Sequence, residues 1–228
     1  MCGRYVLYGP EEAILEGFSL QELPPFGPRY NVAPSTPVLA IRTDRRARRR
    51  VAETMRWGLV PHWAKDPSIG ARLINARAET IATKPAFRDA FRRGRCVIPA
   101  NGFYEWKTID APGRRRRQPY YVHRADGGLI AMAGLYDRHD GPEGPVRTCC
   151  IVTTKANAVA AQTHDRMPVL LDRDGVDRWL DPDAQPDALQ ALLEPCPDDW
   201  LALRMVAPAV GDPRNEGAAL IEPWQALA

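Results

Sequence analysis

Residues 96–107 read CVIPANGFYEWK, a run in which two short apolar segments are separated by Ala100 and Asn101. Branched and aromatic side chains favour β-structure, so residues 96–99 and 102–107 are predicted to be strands. Three further strands are predicted downstream, at residues 120–124, 129–136 and 147–154. Most connections between these segments are short, which favours antiparallel pairing. The middle of the chain is therefore predicted to form a mainly antiparallel β core.

The flanking sequence contains helical patterns and one more hairpin. Residues 38–42 and 51–57 are predicted to pair, and residues 200–206 to form a late strand. Asn75 is predicted to cap a helix. The predicted helices cover residues 10–18, 75–83, 85–93, 156–162, 175–180 and 187–193. The predicted loops include the proline-rich residues 23–37 and the arginine-rich residues 44–50 and 114–117. Helices scattered among antiparallel strands indicate an α+β fold, predicted as one domain over residues 1–228.

Composition excludes several classes of protein. The sequence has no apolar run of membrane-spanning length and no signal-peptide pattern, so a cytoplasmic protein without a membrane partner is expected. Its five cysteines lack CxxC spacing, which favours reduced thiols and no metal site. A net charge of +3 does not by itself indicate a nucleic-acid binder. No phosphate loop, nucleophile elbow, zinc-protease motif or dinucleotide fingerprint occurs.

Cys2 follows the initiator methionine and becomes the first residue once Met1 is removed. It would then carry an α-amine with an ordinary pKa near ~7.8 beside a thiol with a pKa near ~8.5. Such a pair can attack an aldehyde through nitrogen and close through sulfur to a thiazolidine. The alternative is that Cys2 is simply a small residue buried under the fold.

Three further polar residues suit proton transfer and orientation, although each also has a structural interpretation. Glu105 lies in an aromatic run on the same predicted strand face as Phe103, where it is either turned to solvent or buried, with its pKa raised into a useful range. His164 can exchange a proton near neutral pH or serve as a structural hydrogen-bonding residue. Asn75 is an orienting residue or only a cap.

Two tryptophans, Trp57 and Trp63, bracket a segment with no clear periodicity. They are either core anchors or a surface on which nucleic-acid bases stack. Arg77 and Arg166 are either surface charges or ligands for a charged substrate.

Seven short blocks of this sequence resemble, in order, those of the SRAP family, the SOS-response-associated peptidases, also described as abasic-site processing proteins. The blocks lie at residues 1–4, 29–34, 57–61, 75–79, 103–106, 164–168 and 215–217 and so run through nearly the whole chain. The resemblance implies the α+β SRAP fold, with short helices around a barrel-like β core. It also implies a sensor and shield for abasic sites in single-stranded DNA during the DNA damage response, acting without a cofactor.

The same resemblance implies roles for individual residues. Cys2 would form the DNA–protein crosslink through its amine and thiol, and Glu105 would shuttle protons. His164 would assist opening of the sugar, and Asn75 would orient the terminal amine or the sugar. The expected DNA contacts comprise phosphate contacts from Arg4, Arg77 and Arg166, base-side surfaces at Pro34, Trp57 and Trp63, and a backbone contact at Thr153.

The resemblance also has a local departure. Some family members have two adjacent tryptophans where this chain reads His62-Trp63-Ala64-Lys65, so a smaller stacking surface is expected.

The expected partner is abasic single-stranded DNA, bound by a monomer that associates with the bacterial nucleoid when on DNA.

Two other functions compete with this interpretation. Class II glutamine amidotransferases also begin with Met-Cys-Gly and attack amides with the N-terminal thiol, but here Arg4 follows and the later blocks match the SRAP pattern. In the related autopeptidase interpretation, Cys2, Glu105 and His164 would form a self-cleaving set. A passive single-strand-binding module with an inert Cys2 is the third possibility.

Overall fold

The computed structural model describes residues 2–111, 114–141 and 144–225; Met1 and residues 112–113, which precede the predicted arginine-rich loop, lie outside this part of the chain. The described residues form four α-helices, α1 (Glu11–Phe18), α2 (Arg88–Arg93), α3 (Arg173–Leu180) and α4 (Pro186–Gln190). They also form thirteen strands: β1 (Tyr5–Leu7), β2 (Arg29–Val32), β3 (Pro37–Asp44), β4 (Arg49–Trp57), β5 (Asn75–Arg77), β6 (Arg95–Ala100), β7 (Gly102–Ala111), β8 (Arg114–Arg124), β9 (Ile130–Gly141), β10 (Gly144–Lys155), β11 (Arg166–Pro168), β12 (Leu170–Leu171) and β13 (Leu201–Met205). The predicted α+β class is confirmed.

Five of the strands close into a barrel. β10 pairs with β4, β4 with β3, β3 with β6, β6 with β9, and β9 again with β10. The β4–β10 pair is parallel and the other four are antiparallel. The barrel-like, mainly antiparallel core is therefore confirmed, with one parallel seam that connection length did not reveal.

A second sheet, in the order β13-β8-β7-β1-β2, packs against the barrel. Tyr5 and Phe103 of this sheet join the same buried cluster as barrel residues such as Ile41 and Ile151. The opposite face carries a smaller cluster, formed by Val6, Tyr104, Tyr121, Val206, Val210 and Leu220. The sheet is thus covered on both faces, which explains why the consecutive residues Phe103 and Tyr104 at the start of β7 are both buried.

The chain passes from the barrel to the second sheet at Asn101. The Asn101 side chain accepts a hydrogen bond from the Tyr8 amide and donates one to the Gly9 carbonyl, both 2.8 Å long. Gly102 follows, and a Cβ there would lie 2.4 Å from the Tyr121 ring. Only glycine allows this close approach of β7 to β8. The two apolar halves of residues 96–107 lie in different sheets, β6 in the barrel and β7 in the second sheet, and do not pair with each other.

β10 extends beyond the barrel and links it to the strands nearest Cys2. Its last residues lie between β5, in parallel, and β11, antiparallel. Thr153 is the Cα partner of Arg77 on one side and of Pro168 on the other. Residues distant in sequence are thereby brought to one end of the barrel.

Several local predictions were wrong. Residues 75–83 do not form a helix, and Asn75 is not a cap: it begins β5, and a 3-10 turn, Ala78–Thr80, follows. The arginine run at 114–117 belongs to β8, where Thr108 pairs with Arg117, and is not a loop. Pairing with neighbouring strands overrode the local signals at both places.

Other predictions were confirmed in whole or in part. Helix α1 and the β3–β4 hairpin lie where expected. The proline-rich segment contains β2, which pairs with β1, and the expected helix at 156–162 is reduced to the 3-10 turn Ala160–Gln162. Within the described ranges, the helices are too short or too polar to cross a bilayer.

Candidate active site

Cys2 lies fully buried in the main core, three residues before β1. The Asn75 side-chain amide holds it by donating a hydrogen bond from Nδ2 to the Cys2 carbonyl oxygen, 2.9 Å away. The Arg4 backbone amide donates a hydrogen bond to the Cys2 sulfur. These contacts fix both the backbone and the thiol of this residue.

The Cys2 thiol is held in its protonated form. Burial raises the pKa of the thiol strongly, and the negative charge of Glu105 raises it further. Because the thiolate is the reactive form of a cysteine, this thiol needs a base at the moment of bond formation. Glu105 is close enough to act electrostatically on the sulfur and is therefore the candidate base.

Glu105 is a buried carboxyl group on β7, with only 2% of its surface exposed. Strand alternation directs it to the same side as buried Phe103, as predicted from the sequence. Burial raises the pKa of Glu105, while the charges of His164 and Arg117 partly oppose the increase. A carboxyl group with a raised pKa is suited to take up and return protons near neutral pH.

Asn75 has an unused acceptor in addition to its bond with Cys2. Its Oδ1 atom is buried and accepts no hydrogen bond from the described residues. A buried amide oxygen without a donor is costly, by about 1–3 kcal/mol. The atom can accept a hydrogen bond from an amine at residue 2 or from a substrate hydroxyl, which gives Asn75 an orienting capacity that a helix cap would lack.

His164 lies in the turn before β11, with its ring partly exposed. Its Nδ1 atom accepts a hydrogen bond from the Arg166 backbone amide over 2.9 Å, which assigns the proton of the neutral ring to Nε2. The Asp165 carboxylate lies 2.8 Å from the same Nδ1 and can bind it only when that nitrogen is protonated. The two contacts select opposite protonation states of one ring nitrogen.

Arg77 and Arg166 lie on the two strands that flank the end of β10. Arg77 is exposed, and Arg166 is largely buried. The Arg166 guanidinium binds both carboxylate oxygens of Glu79 and donates a 2.6 Å hydrogen bond to the Thr153 carbonyl. Thr153 is completely buried, and its carbonyl supports Arg166; the expected DNA contact through its backbone stays a prediction.

Arg4 lies beside Trp106, on the sheet face that packs against the smaller cluster. Its Nη1 atom donates hydrogen bonds to Asn31 Oδ1, at 2.8 Å, and to the Val210 carbonyl, at 3.0 Å. Burial lowers the pKa of this guanidinium. Arg4 therefore ties β1 to the C-terminal segment, whatever further contact it makes with a ligand.

The two tryptophans have different environments. Trp57 is fully buried, packs edge-on against Tyr5 with ring centroids 5.4 Å apart, and donates a hydrogen bond to the Ile74 carbonyl. The Trp57 ring thus belongs to the core in this structure, and its expected contact with bases stays a prediction. Trp63 is 49% exposed and remains available for stacking.

Pro34 lies in the turn between β2 and β3 and is partly exposed. Hydrogen bonds between Trp57 and residues Ser35 and Thr36 tie this turn to the end of β4. The loop carrying Trp63 begins at that same strand end, so the turn and the loop leave the barrel together.

Three residues near the site had no role assigned from sequence. Asn31 is buried and donates from Nδ2 to the carbonyls of Val210, Asp212 and Asn215. Glu79 forms an ion pair with Arg166, and the charge of Arg117 opposes the rise in the pKa of Glu105. Both Asn31 and Glu79 lie inside blocks of the family resemblance, which was the one available signal.

No set of three or more His, Cys, Asp or Glu side chains suited to a metal ion occurs among residues 2–111, 114–141 and 144–225.

Comparison with known proteins gives consistent matches over the length of the chain. The family model "SOS response associated peptidase (SRAP)" matches residues 1–213. Abasic site processing protein YoqW of Bacillus subtilis is 43% identical, over 97% of this chain and 99% of that protein. YedK of Escherichia coli, also named an abasic site processing protein, is 33% identical over 98% of this chain and 100% of its own length.

Solved structures have the same fold. A Bacteroides thetaiotaomicron protein superimposes with a TM-score of 0.83 over 98% of this chain and 100% of its own, at 23% identity. A Bordetella bronchiseptica protein gives a TM-score of 0.77 over 90% of this chain and 100% of its own, at 26% identity. With the matched residues extending from Cys2 through Arg166 and beyond, the chain belongs to the SRAP family.

Proposed function

We propose that this protein processes abasic sites in single-stranded DNA and captures them covalently through Cys2. Relatives that share 33% to 43% identity over almost the full chain are named abasic site processing proteins. The observation that carries the proposal is the arrangement of Cys2: Asn75 fixes its carbonyl, and the buried Glu105 acts on its thiol. An aminothiol beside a carboxyl group is suited to an aldehyde substrate.

The reaction requires the free α-amine of Cys2 and hence removal of Met1. The amine adds to the C1′ aldehyde of the ring-opened deoxyribose, and loss of water gives an imine. The thiol then adds to the imine carbon: a carbon–sulfur bond forms, and the thiol proton is transferred to the former imine nitrogen. The product is a thiazolidine that links Cys2 to the DNA without breaking the strand.

The polar groups around Cys2 would carry out the proton transfers and orient the reacting amine. Because the thiol of Cys2 is protonated, the amine attacks first, and Glu105 then relays the thiol proton to nitrogen. His164 would assist opening of the sugar ring. Asn75 would orient the amine through Oδ1 while Nδ2 holds the carbonyl of Cys2.

Contacts between the protein and the DNA strand would not depend on the identity of the bases. Arg77, Arg166 and Arg4 are proposed phosphate ligands, and Trp63 and Pro34 are proposed contacts for neighbouring bases. Phosphate contacts and stacking suit a lesion that has no base to read. Monomeric action and association with the nucleoid remain predictions of the same proposal.

The direct test uses purified protein whose lack of Met1 is verified by intact mass. It is incubated with single-stranded DNA carrying one uracil-derived abasic site, and denaturing gels are used to detect a heat-stable adduct. The native protein and Cys196→Ser, which removes a different buried thiol, should both form it. Cys2→Ala should not. Absence of the native adduct, or its persistence in Cys2→Ala, would contradict the proposal.

A second variant separates the two bond-forming steps. Cys2→Ser keeps the amine but lacks sulfur, so it should give an adduct that requires borohydride trapping and is otherwise lost on heating. Release of ammonia from glutamine by the native protein, without an adduct, would instead favour the N-terminal amidohydrolase. Binding without any covalent product would favour a passive module.

A further inference from the structure

Glu79 binds both terminal nitrogens of the Arg166 guanidinium. Its two carboxylate oxygens bind Nη1 and Nη2 of the guanidinium, the second over 3.0 Å. Nη2 also donates a 2.6 Å hydrogen bond to the Thr153 carbonyl. A two-pronged contact of this kind is the geometry in which arginine also binds phosphate. The carboxylate therefore occupies the position that a DNA phosphate would need.

The two partners differ in exposure. The Arg166 side chain is 14% exposed, whereas that of Glu79 is 52% exposed. Glu79 lies in the short 3-10 turn Ala78–Thr80, and the hydrogen bond from Arg166 lowers the pKa of its carboxyl group, so it is ionised at neutral pH. Arg166 is fixed by the buried strand beside it, and Glu79 is the member of the pair that can rotate into solvent.

Arg77 provides an internal contrast. It lies two residues before Glu79, is exposed, and makes no side-chain hydrogen bond or ion pair with the residues that the structure describes. An approaching phosphate can bind Arg77 without breaking a contact. At Arg166 it must first replace a carboxylate.

We propose that Glu79 is an internal substitute for a DNA phosphate and that the strand must displace it before Arg166 can bind. This inference rests on the proposed function, because it takes single-stranded DNA as the ligand. A phosphate that binds Arg166 replaces the Glu79 carboxylate, so the net gain in binding free energy is only the difference between two charge-assisted contacts. Glu79 thus weakens the binding of any polyanion at Arg166. Arg77 engages the strand first, and exchange at Arg166 follows when a strand remains bound.

The test measures noncovalent binding of a fluorescent oligothymidylate without a lesion, by anisotropy, in the Cys2→Ala background. Glu79→Gln removes the competing charge and should tighten binding by roughly threefold to tenfold. Glu194→Gln is the matched control, because Glu194 is also an exposed carboxylate paired with a basic side chain, Lys155, at 3.4 Å. It should leave affinity nearly unchanged.

A double-mutant cycle ties the effect to Arg166. In an Arg166→Gln background, Glu79→Gln should have no further effect on affinity. Thermal unfolding verifies that each variant is folded, with Glu79→Ala and Arg166→Lys as second choices. Unchanged or weaker binding by Glu79→Gln would overturn the inference and assign Glu79 to orienting Arg166. Because the oligonucleotide lacks an abasic site, this result is independent of whether the native protein forms an adduct.

Discussion

The side-chain amide of Asn75 donates a 2.9 Å hydrogen bond to the backbone carbonyl of Cys2, joining two residues 73 positions apart in sequence. β5 carries Asn75, and its parallel pairing with β10 aligns Asn75 with Ile151. The position of the proposed nucleophile thus depends on a strand pairing between distant residues as well as on the neighbouring Arg4 amide.

Replacing Asn75 should slow crosslinking more than it weakens DNA binding. Asn75→Ala removes the donor to Cys2, and Asn75→Asp places a negative oxygen against the carbonyl, so the aspartate variant should be the slower one. Single-turnover adduct formation should fall by roughly tenfold or more, since misplacement of a reacting group is costly. Gln225→Ala, at an exposed amide side chain far along the sequence from Cys2 and Asn75, serves as the control. Equal losses of binding and of rate would indicate a general structural role.

Glu105→Gln should stabilise the folded protein at neutral pH while slowing crosslinking. The pKa of Glu105 is raised by burial, so ionising it costs folding free energy as the pH rises. The stability associated with the protonated form is present below the ordinary carboxyl range and is lost as the pH rises through the folded pKa. Urea unfolding of the native protein and Glu105→Gln should therefore differ most above neutrality and converge near pH ~4.

The control for this pH series is Glu16→Gln, at an exposed position on α1. Its difference from the native protein should not vary with pH in the same way. A Glu105→Gln variant that is less stable at every pH would show that the carboxylate is required by its neighbours.

The two tryptophans should separate binding from folding. Trp63→Ala should weaken binding to single-stranded DNA by roughly 1–3 kcal/mol, the contribution of one stacked base, with little change in stability. Trp57→Ala should destabilise the fold by about 3–5 kcal/mol, because its ring fills the core beside Tyr5. Anisotropy and urea unfolding on both variants test this pair. Loss of stability in Trp63→Ala would contradict it.

Asn31→Ala should release the C-terminal segment from the second sheet. The Asn31 amide donates to three carbonyls between residues 210 and 215 and accepts from Arg4. Losing these partners should cost roughly 1–3 kcal/mol and increase hydrogen exchange in residues 206–221. Exchange that increases uniformly over the barrel would instead indicate global destabilisation.

The sequence predicted what depends on side-chain pattern. The placement of Glu105 on the same strand face as Phe103 followed from alternation, and the β3–β4 hairpin followed from two apolar runs around a polar tip. It did not predict what depends on distant pairing. Asn75 has the local features of a helix cap, yet it pairs with β10, and Trp57 lies in the core because β4 closes the barrel.

The site was predicted unevenly for the same reason. The sequence identified residues whose side chains could bind DNA or transfer protons. It contained no information on which of these residues are already bound by other residues or buried in the folded protein. The Arg166 side chain is bound by Glu79, and Thr153 is completely buried on β10, between β5 and β11. Such occupancy is a property of the folded chain.

The parallel seam between β4 and β10 has a consequence for synthesis on the ribosome. β3, β4, β6 and β9 are all made before β10, so the growing chain exposes an unpaired edge on β4 until residues near Cys149 have emerged. Open edges of this kind invite pairing with other chains. A ribosome that stalls before β10 would therefore leave an aggregation-prone fragment, in which β5, the strand bearing Asn75 and Arg77, lacks its neighbour.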